Sequence, residues 1–395
     1  MHSIIVYCPR GLEECLAHEI QEIIGQDSQV YKGYVSLKGG WQEIYALNLN
    51  SRLASRVLLQ IKEGTIHNEN DLYQLACSVN WERFFKVDKT IKINVEGRAS
   101  WVRRFDFLAL KIKDGLCDAF IKSIGRRPNV DKSNPDIRIY GYINEKKAVL
   151  YLDTSGEGLF KRGFRERKGL APIKENLAAG LLKLAGYQSR SAFTDPLCGS
   201  GTLAIEAALM AANIPPGRNR PFAFERFASF NALLWRKVKE EYLKNIHPPS
   251  FPILASDSQR EAVDQARHNA EIAGVADFIS FDHRGFADVK APAQNGILLS
   301  NPPYGERLST LKHVQERYPD WGRYLKQNFV GWKVGFISAD PSLPRLMRLK
   351  PARKIPLFNG KIECRLFLFD IVAGSNRKQL CIKAMKKFDL IIELA

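Results

Sequence analysis

The stretch Asp195-Pro196-Leu197-Cys198-Gly199-Ser200-Gly201-Thr202 decides how this chain is read. It follows an apolar run, residues 192–195, that reads as a strand, and it opens a helical run over 203–211. A strand, an acid, a G-x-G turn and a helix in register make the first crossover of a nucleotide-binding α/β sheet, where glycines let backbone approach a ligand closely. The plainer alternative is a Gly-rich turn, since a lone G-x-G is a weak signal. No Lys-Ser or Lys-Thr follows the glycines, which disfavours a phosphate-gripping P-loop. Asp195 likewise argues against a phosphate beside it. Such an acid suits a ligand with a positive end, such as the amino-acid part of S-adenosylmethionine.

Downstream, further apolar runs at 253–256, 279–281, 297–300 and 334–338 alternate with helical patterns, as a parallel sheet with crossover helices requires. Residues 354–358 and 363–371 flank Asn359-Gly360, a tight-hairpin dipeptide, so the last strand is predicted to run antiparallel, on or within that sheet. The fold class is α/β. Asp257 ends the second strand, where a carboxylate accepts from ribose hydroxyls; its plainer role is an N-cap for a helix over 260–273, and the two coexist. Asp282 ends the third strand and is placed to accept from an adenine amino group, or simply to pair with Arg284.

Ser300-Asn301-Pro302-Pro303-Tyr304 lies at the C-terminal end of the fourth strand, the side on which open α/β sheets bind ligands. Two prolines remove two N–H donors, leaving the Asn301 side-chain oxygen and the Pro302 carbonyl as acceptors. An amino group donating two protons fits that pair. Two acceptors pull the exocyclic amine of a base toward tetrahedral geometry and free its lone pair for an electrophilic methyl, so positioning and electrostatics would do most of the catalysis. Tyr304 offers a face on which an extruded base stacks. A proline-rich turn with a packed tyrosine is the bland alternative.

Composition sets the outer limits. With 395 residues, 45% hydrophobic, the chain has material for two or three domains. Its formal net charge of +17 favours polyanions, nucleic acid first, although a basic metabolic enzyme stays open. Residues 166–395 carry 34 Lys and Arg against 22 Asp and Glu, residues 1–165 carry 25 against 20, so the excess is heavier in the second half. Seven cysteines without a C-x-x-C spacing suggest neither a disulfide framework nor a zinc cluster. The longest apolar stretch, 203–214, is interrupted by Glu206 and Asn213 and is shorter than the ~20 residues of a membrane span; with no leader pattern at the start, a cytoplasmic protein is expected.

In the first half, short β-rich runs alternate with helical ones: strands at 4–7, 34–37 and 57–61 with helices at 12–24 and 42–49, then a helix at 72–79, a strand at 91–95, a long helix at 107–124 and a hairpin of 137–143 with 148–152. This predicts two α+β modules in series. Five of the twelve residues Lys161 to Pro172 are basic, which suits a phosphate track or a solvated linker equally. Arg345, Arg348, Lys350, Arg353 and Lys354 form a second basic cluster, and Arg377, Lys378, Lys383, Lys386 and Lys387 a third, each an RNA contact or ordinary surface.

Together, the Asp195–Thr202 and Ser300–Leu308 stretches and Arg162-Gly163-Phe164-Arg165 with Ala171-Pro172-Ile173-Lys174-Glu175 resemble the THUMP-containing RNA guanine-N2 methyltransferases, most of all the bacterial 23S ribosomal RNA branch of the RlmL type. The resemblance spans essentially the whole chain. It implies a ferredoxin-like module at 1–55, completed by about 140–165, a THUMP domain at 56–155 that binds structured RNA, and at 166–395 a Rossmann-like class I methyltransferase domain with a seven-stranded mixed sheet. It implies S-adenosylmethionine as cofactor, with Asp195, Pro196, Cys198, Gly199, Gly201 and Thr202 at its methionine part, Asp257 at its ribose and Asp282 near adenine. Pro172 and Ile173 would pack against it, and Asn301 would border both cofactor and base. Asn301, Pro302, Pro303 and Tyr304 would receive the base, and no metal is required.

In many members of that family a second methyltransferase is fused behind the first. This sequence stops where that half would begin, so the partner activity is expected to be absent or on another polypeptide. The expected reaction forms N2-methylguanosine in 23S ribosomal RNA by direct in-line displacement, on naked RNA or on a ribosome-assembly intermediate. Alternatives are a transfer-RNA guanine-N2 methyltransferase, a DNA adenine-N6 methyltransferase, and a catalytically silent RNA-binding assembly factor. Cys198 as the nucleophile of a C5-pyrimidine methylation is disfavoured by its place inside the glycine loop.

Overall fold

The protein, seen in a computed structural model, is described over residues 1–102, 104–165, 173–303, 308–360 and 362–373. Two seven-stranded sheets organise it.

The first sheet begins with strand β1 (His2–Tyr7), helix α1 (Glu13–Ile24), the hairpin strands β2 (Gln29–Tyr31) and β3 (Tyr34–Gly39), helix α2 (Trp41–Asn50) and strand β4 (Arg56–Thr65). In β1 the side chains alternate, so Ile4 and Val6 go to the core under the helices and Ile5 and Tyr7 to the opposite face. Leu16 and Ile20 of α1 meet that core, and Gly25 in left-handed conformation ends the helix. The strand β2 has no apolar run and was not anticipated; it forms because it pairs with β3 through Val30 and Val35.

After β4 come α3 (Glu69–Cys77), β5 (Ile91–Arg98), α4 (Phe105–Ile124), β6 (Ile137–Asn144) and β7 (Lys147–Asp153). The two modules do not stand in series. The strand order is β2-β3-β1-β4-β7-β6-β5, so β7 returns to pair antiparallel with β4 and one continuous sheet joins both units. Strands β1 to β4 make a βαββαβ unit in the order 2-3-1-4, with its fourth strand supplied by residues 56–65, and the returning hairpin attaches beyond it. Such a merger hides an edge of each unit that would otherwise expose unpaired backbone groups.

The second sheet is doubly wound. Its elements are α5 (Glu175–Ala185), β8 (Ala192–Asp195), α6 (Thr202–Ala211), α7 (Ala232–Leu243), β9 (Ile253–Asp257), α8 (Arg260–Ala273), β10 (Ser280–His283), β11 (Gly296–Ser300), α9 (Leu308–Asn328), β12 (Lys333–Ser338), α10 (Leu343–Leu346), β13 (Arg353–Asn359) and β14 (Ile362–Asp370). The order β10-β9-β8-β11-β12-β14-β13 is parallel except for β14, which lies within the sheet and is antiparallel to both neighbours, as the Asn359-Gly360 turn predicts. The order reverses between β8 and β11, which makes that the switch point where such sheets bind ligands.

Helix α6 is buried along almost its whole length, which explains why its composition is apolar apart from Thr202 and Glu206. It lies between the second sheet and the N-terminal unit. There Arg162 pairs with the fully buried Glu206 at 3.3 Å and donates to the Arg52 carbonyl, while Arg52 donates to the carbonyls of Leu209 and Ile214. In α5, Gly180 lets Leu12 close in; a Cβ there would stand 2.3 Å from the Leu12 side chain.

Candidate active site

The carboxylates come together because parallel strands end on one edge. Asp195, Asp257, Asp282 and Asn301 stand at or just beyond the C-terminal ends of β8, β9, β10 and β11, four neighbours in the sheet. Asp195 is 1% exposed and accepts from the Ser300 hydroxyl and from the Leu197 N–H at 3.2 Å. Burial pushes its carboxyl up to about 7, with Asp257 adding a smaller like-charge effect against the two hydrogen bonds.

Asp257 accepts from the Gly199 N–H and the Gln259 N–H, both at 3.0 Å. It is not the cap expected for α8: the N-cap position is Gln259, two residues on, because β9 continues through Asp257 and the chain needs that distance to turn. Its two oxygens each hold one backbone bond. A carboxylate has about four acceptor positions, so room is left for two hydroxyl donors. Asp282 pairs with Arg284 at 3.2 Å and is partly exposed.

The two glycines of the loop do different jobs. Both have positive φ, +50° at Gly199 and +80° at Gly201. A Cβ on Gly199 would meet nothing within 4 Å among the described residues, which leaves open space beside the loop. A Cβ on Gly201 would lie 2.9 Å from that of Ala266 in α8, so helix packing requires this glycine, a role its place in the loop did not announce. Thr202 begins α6 and is buried, as is Cys198. Burial beside two carboxylates pushes the Cys198 thiol well above its ordinary value, so it stays protonated and is no nucleophile.

Asn301 is half-buried, and its Oδ1 is a buried acceptor with no hydrogen-bond partner among the described residues. Pro302 is buried and Pro303 exposed. Ile173 is 3% exposed. Tyr304 and Pro172 lie outside the described residues, as do 166–171 and the C-terminal basic cluster 377–387.

Three participants escaped the sequence reading. Ser300 ties β11 to Asp195, Asn269 of α8 donates to the Ser200 carbonyl at 2.9 Å, and Arg165 donates to both the Ile173 carbonyl and the Thr202 hydroxyl, at 2.9 and 2.8 Å, with Glu175 at 3.7 Å. The position of Ser300 at a strand end beside Asn301 was a usable signal; nothing local marks Asn269. The Arg165 contacts, with the buried Arg162 pair, correct the idea of a phosphate track for the described part of 161–172; Arg167 and Lys168 lie outside the described residues. Arg162 and Arg165 are spent inside the protein, and Lys161 pairs with Glu157 at 2.6 Å. The second basic cluster is exposed.

An acid buried at the switch point, an open glycine shoulder and an unpartnered amide oxygen fit a small cofactor and an amine-bearing substrate. Comparison with known proteins gives the same direction. The RMKL-like methyltransferase domain matches residues 162–367, the THUMP domain 67–153 and the RlmL ferredoxin-like domain 3–58. Ribosomal RNA large subunit methyltransferase K/L of Pseudoalteromonas atlantica is 38% identical over 375 residues, which is 93% of this chain and 54% of that protein. The chain therefore spans about half the length of that relative. The crystal structure of SMU.472 complexed with SAH has a TM-score of 0.85 at 29% identity, covering 93% of this chain and 98% of that one. A predicted N6-adenine-specific DNA methylase from Listeria monocytogenes has 0.85 at 27%, covering 93% and 96%. Since the methyltransferase match takes in more than half of the chain, this protein belongs to the RMKL-like methyltransferase family.

Proposed function

We propose that the protein transfers a methyl group from S-adenosylmethionine to the N2 amine of a guanine in 23S ribosomal RNA. The observation that carries the reading is the Asn301 Oδ1, a buried acceptor at the end of β11 without a partner among the described residues. Leaving such a group unpaired costs about 1–3 kcal/mol, which a donated amine proton recovers. Bound S-adenosylmethionine supplies an electrophilic methyl on a sulfonium centre.

The chain's own residues do the rest. Asp195 with Pro196, Cys198, Gly199, Gly201 and Thr202 holds the methionine part, Asp257 the ribose, and Asp282 the adenine edge, while Ile173 and Pro172 pack against it. Asn301 and the Pro302 carbonyl orient the amine, and Pro303 and Tyr304 complete the base pocket. An RNA substrate is supported by the THUMP match and the ribosomal RNA relative. We divide the chain into a ferredoxin-like module at 1–55 closed by β4, a THUMP domain at 56–155 and the methyltransferase at 166–395, with assignment to the RlmL-type half resting on the RlmL ferredoxin-like match at 3–58. The Listeria relative's name favours adenine-N6 transfer as a second reading, since the same two acceptors suit an adenine amine.

The test is methyl transfer from labelled S-adenosylmethionine to deproteinised 23S RNA, bulk tRNA and DNA, each digested to nucleosides. N2-methylguanosine in 23S RNA alone is the expected result; the same nucleoside in tRNA alone, or N6-methyladenine in DNA, overturns the substrate. Asn301→Ala is expected to abolish turnover while cofactor binding persists.

A further inference from the structure

Among the described residues the N-terminal sheet has one face under helices and one without. Its strands contain no Phe and no Trp, yet they contain six of the chain's 13 tyrosines. The register puts all six on the same face: Tyr31 opposite Tyr34, Tyr34 opposite Tyr7, Tyr140 opposite Tyr151, and Tyr142 two residues from Tyr140. This is the face away from α1 to α4, and its apolar cluster of Ile5, Leu58, Val149 and Tyr151 draws only on strand residues. Leu58 is 1% exposed there, roofed by the tyrosine rings and with no helix upon it among the described residues.

The rings are arranged as a surface. Tyr31 and Tyr34 stack at 4.9 Å and 13°, Tyr7 sits 5.8 Å from Tyr34, and Arg56 lies over Tyr140 at 5.6 Å. Tyr31 and Tyr142, at opposite sides, remain 44% and 42% exposed, more than covering the aliphatic cluster requires. From β2 to β6 there are five strand spacings, about 24 Å, the reach of several nucleotides. Six cationic strand positions share this face; Arg56, Lys147 and Arg138 pair with Asp153, Glu63 and Glu157, which leaves Lys38, Lys92 and Arg98 against Glu96.

We propose that this face is a stacking platform for unpaired bases of an RNA strand, with Tyr31, Tyr34 and Tyr142 as its most accessible rings. Aromatic faces accept any base, the phenol edges stay hydrated, and the surplus of cations attends the backbone. The proposal deepens the reading that the substrate is RNA, by naming single-stranded RNA flanking the target as the part gripped by this sheet. It rests on that reading.

The experiment uses the full chain and a labelled single-stranded RNA of about 12 nucleotides, followed by anisotropy. Three proteins are compared: the parent, the triple variant Tyr31→Ala, Tyr34→Ala, Tyr142→Ala, and the same three positions changed to Phe. The Ala variant is expected to bind the single strand about 10-fold or more weakly, the Phe variant like the parent, and S-adenosylhomocysteine equally in all three. Unchanged binding by the Ala variant overturns the platform, as does loss in the Phe variant. So does conversion of a dimer to a monomer by the Ala variant with RNA binding intact, which would make the face a self-association surface. A parent that binds single strands but labels no RNA would sink the proposed activity and leave the platform standing; a parent that labels RNA, with an Ala variant that binds normally, would sink the platform alone.

Discussion

The Ser300 hydroxyl donates to the buried Asp195 carboxylate, and this bond ties β11 to β8 at the point where the sheet order reverses. It couples the acid of the cofactor loop to the residue before Asn301. Ser300→Ala removes a donor from a carboxylate that is fully buried, at a cost of about 1–3 kcal/mol. The expected outcome is a lower unfolding midpoint in urea and weaker S-adenosylhomocysteine binding; calorimetry showing parental affinity would place Asp195 outside the cofactor site.

The Asp195 carboxyl, pushed up to about 7 from an ordinary 3.8, has a definite pH signature. The folded state holds this proton through a range in which the unfolded chain has lost it, so stability contributed here is full below about pH 4 and declines as pH rises toward 7. Cofactor binding has the opposite slope, because the ionised acid attracts the cofactor's amine. Affinity is expected to rise through pH 7 in the parent and to be flat across that range in Asp195→Asn, as read by titration calorimetry at several pH values.

Gly199 and Gly201 separate ligand approach from folding. In Gly199→Ala the new methyl enters open space, at a conformational cost of about 1–2 kcal/mol. In Gly201→Ala it meets Ala266 as well. Gly199→Ala is expected to melt within a few degrees of the parent while losing cofactor binding, and Gly201→Ala to melt far lower. Equal melting of the two would refute the division.

The Arg162–Glu206 pair is buried on both sides. Removing Arg162 alone strands Glu206, so Arg162→Met is expected to cost about 3–5 kcal/mol, and the double variant with Glu206→Leu to recover a good part of it. Urea unfolding of the two proteins checks this; an equally unstable double variant would assign the cost to the lost bonds with the Leu159 and Arg52 carbonyls.

Gly322 lies inside α9, where helix propensity favours alanine by about 1 kcal/mol. A Cβ there would stand 2.0 Å from the Met347 carbonyl oxygen, which is backbone and has nowhere to go. Gly322→Ala is therefore expected to destabilise by about 1–3 kcal/mol in thermal unfolding, and a gain in midpoint would contradict the close approach.

Local sequence was a sound guide wherever the cause was local. The strands of the second sheet, the antiparallel β14, and helices α5, α6 and α8 follow from period, glycine and the Asn359-Gly360 turn. The edge strand β2, with three exposed residues, is a strand only because β3 lies beside it. Basic residues misled for the same reason: Arg162 and Arg165 look like surface charge in one dimension, and in three they are the buried partner of Glu206 and the half-buried partner of Thr202.

By itself, then, the sequence determined the elements and the motif residues, because hydrophobic period, turn chemistry and the order of acid, glycines and Asn-Pro-Pro act over a few residues. Only the tertiary structure decided that the two N-terminal units share one sheet, that Gly201 serves α8, that Asp195 is bridged by Ser300, and that six tyrosines gather on one face. These depend on strand order, register and helix packing, which are set by burial summed over segments far apart in the chain, and no short window of sequence contains that sum.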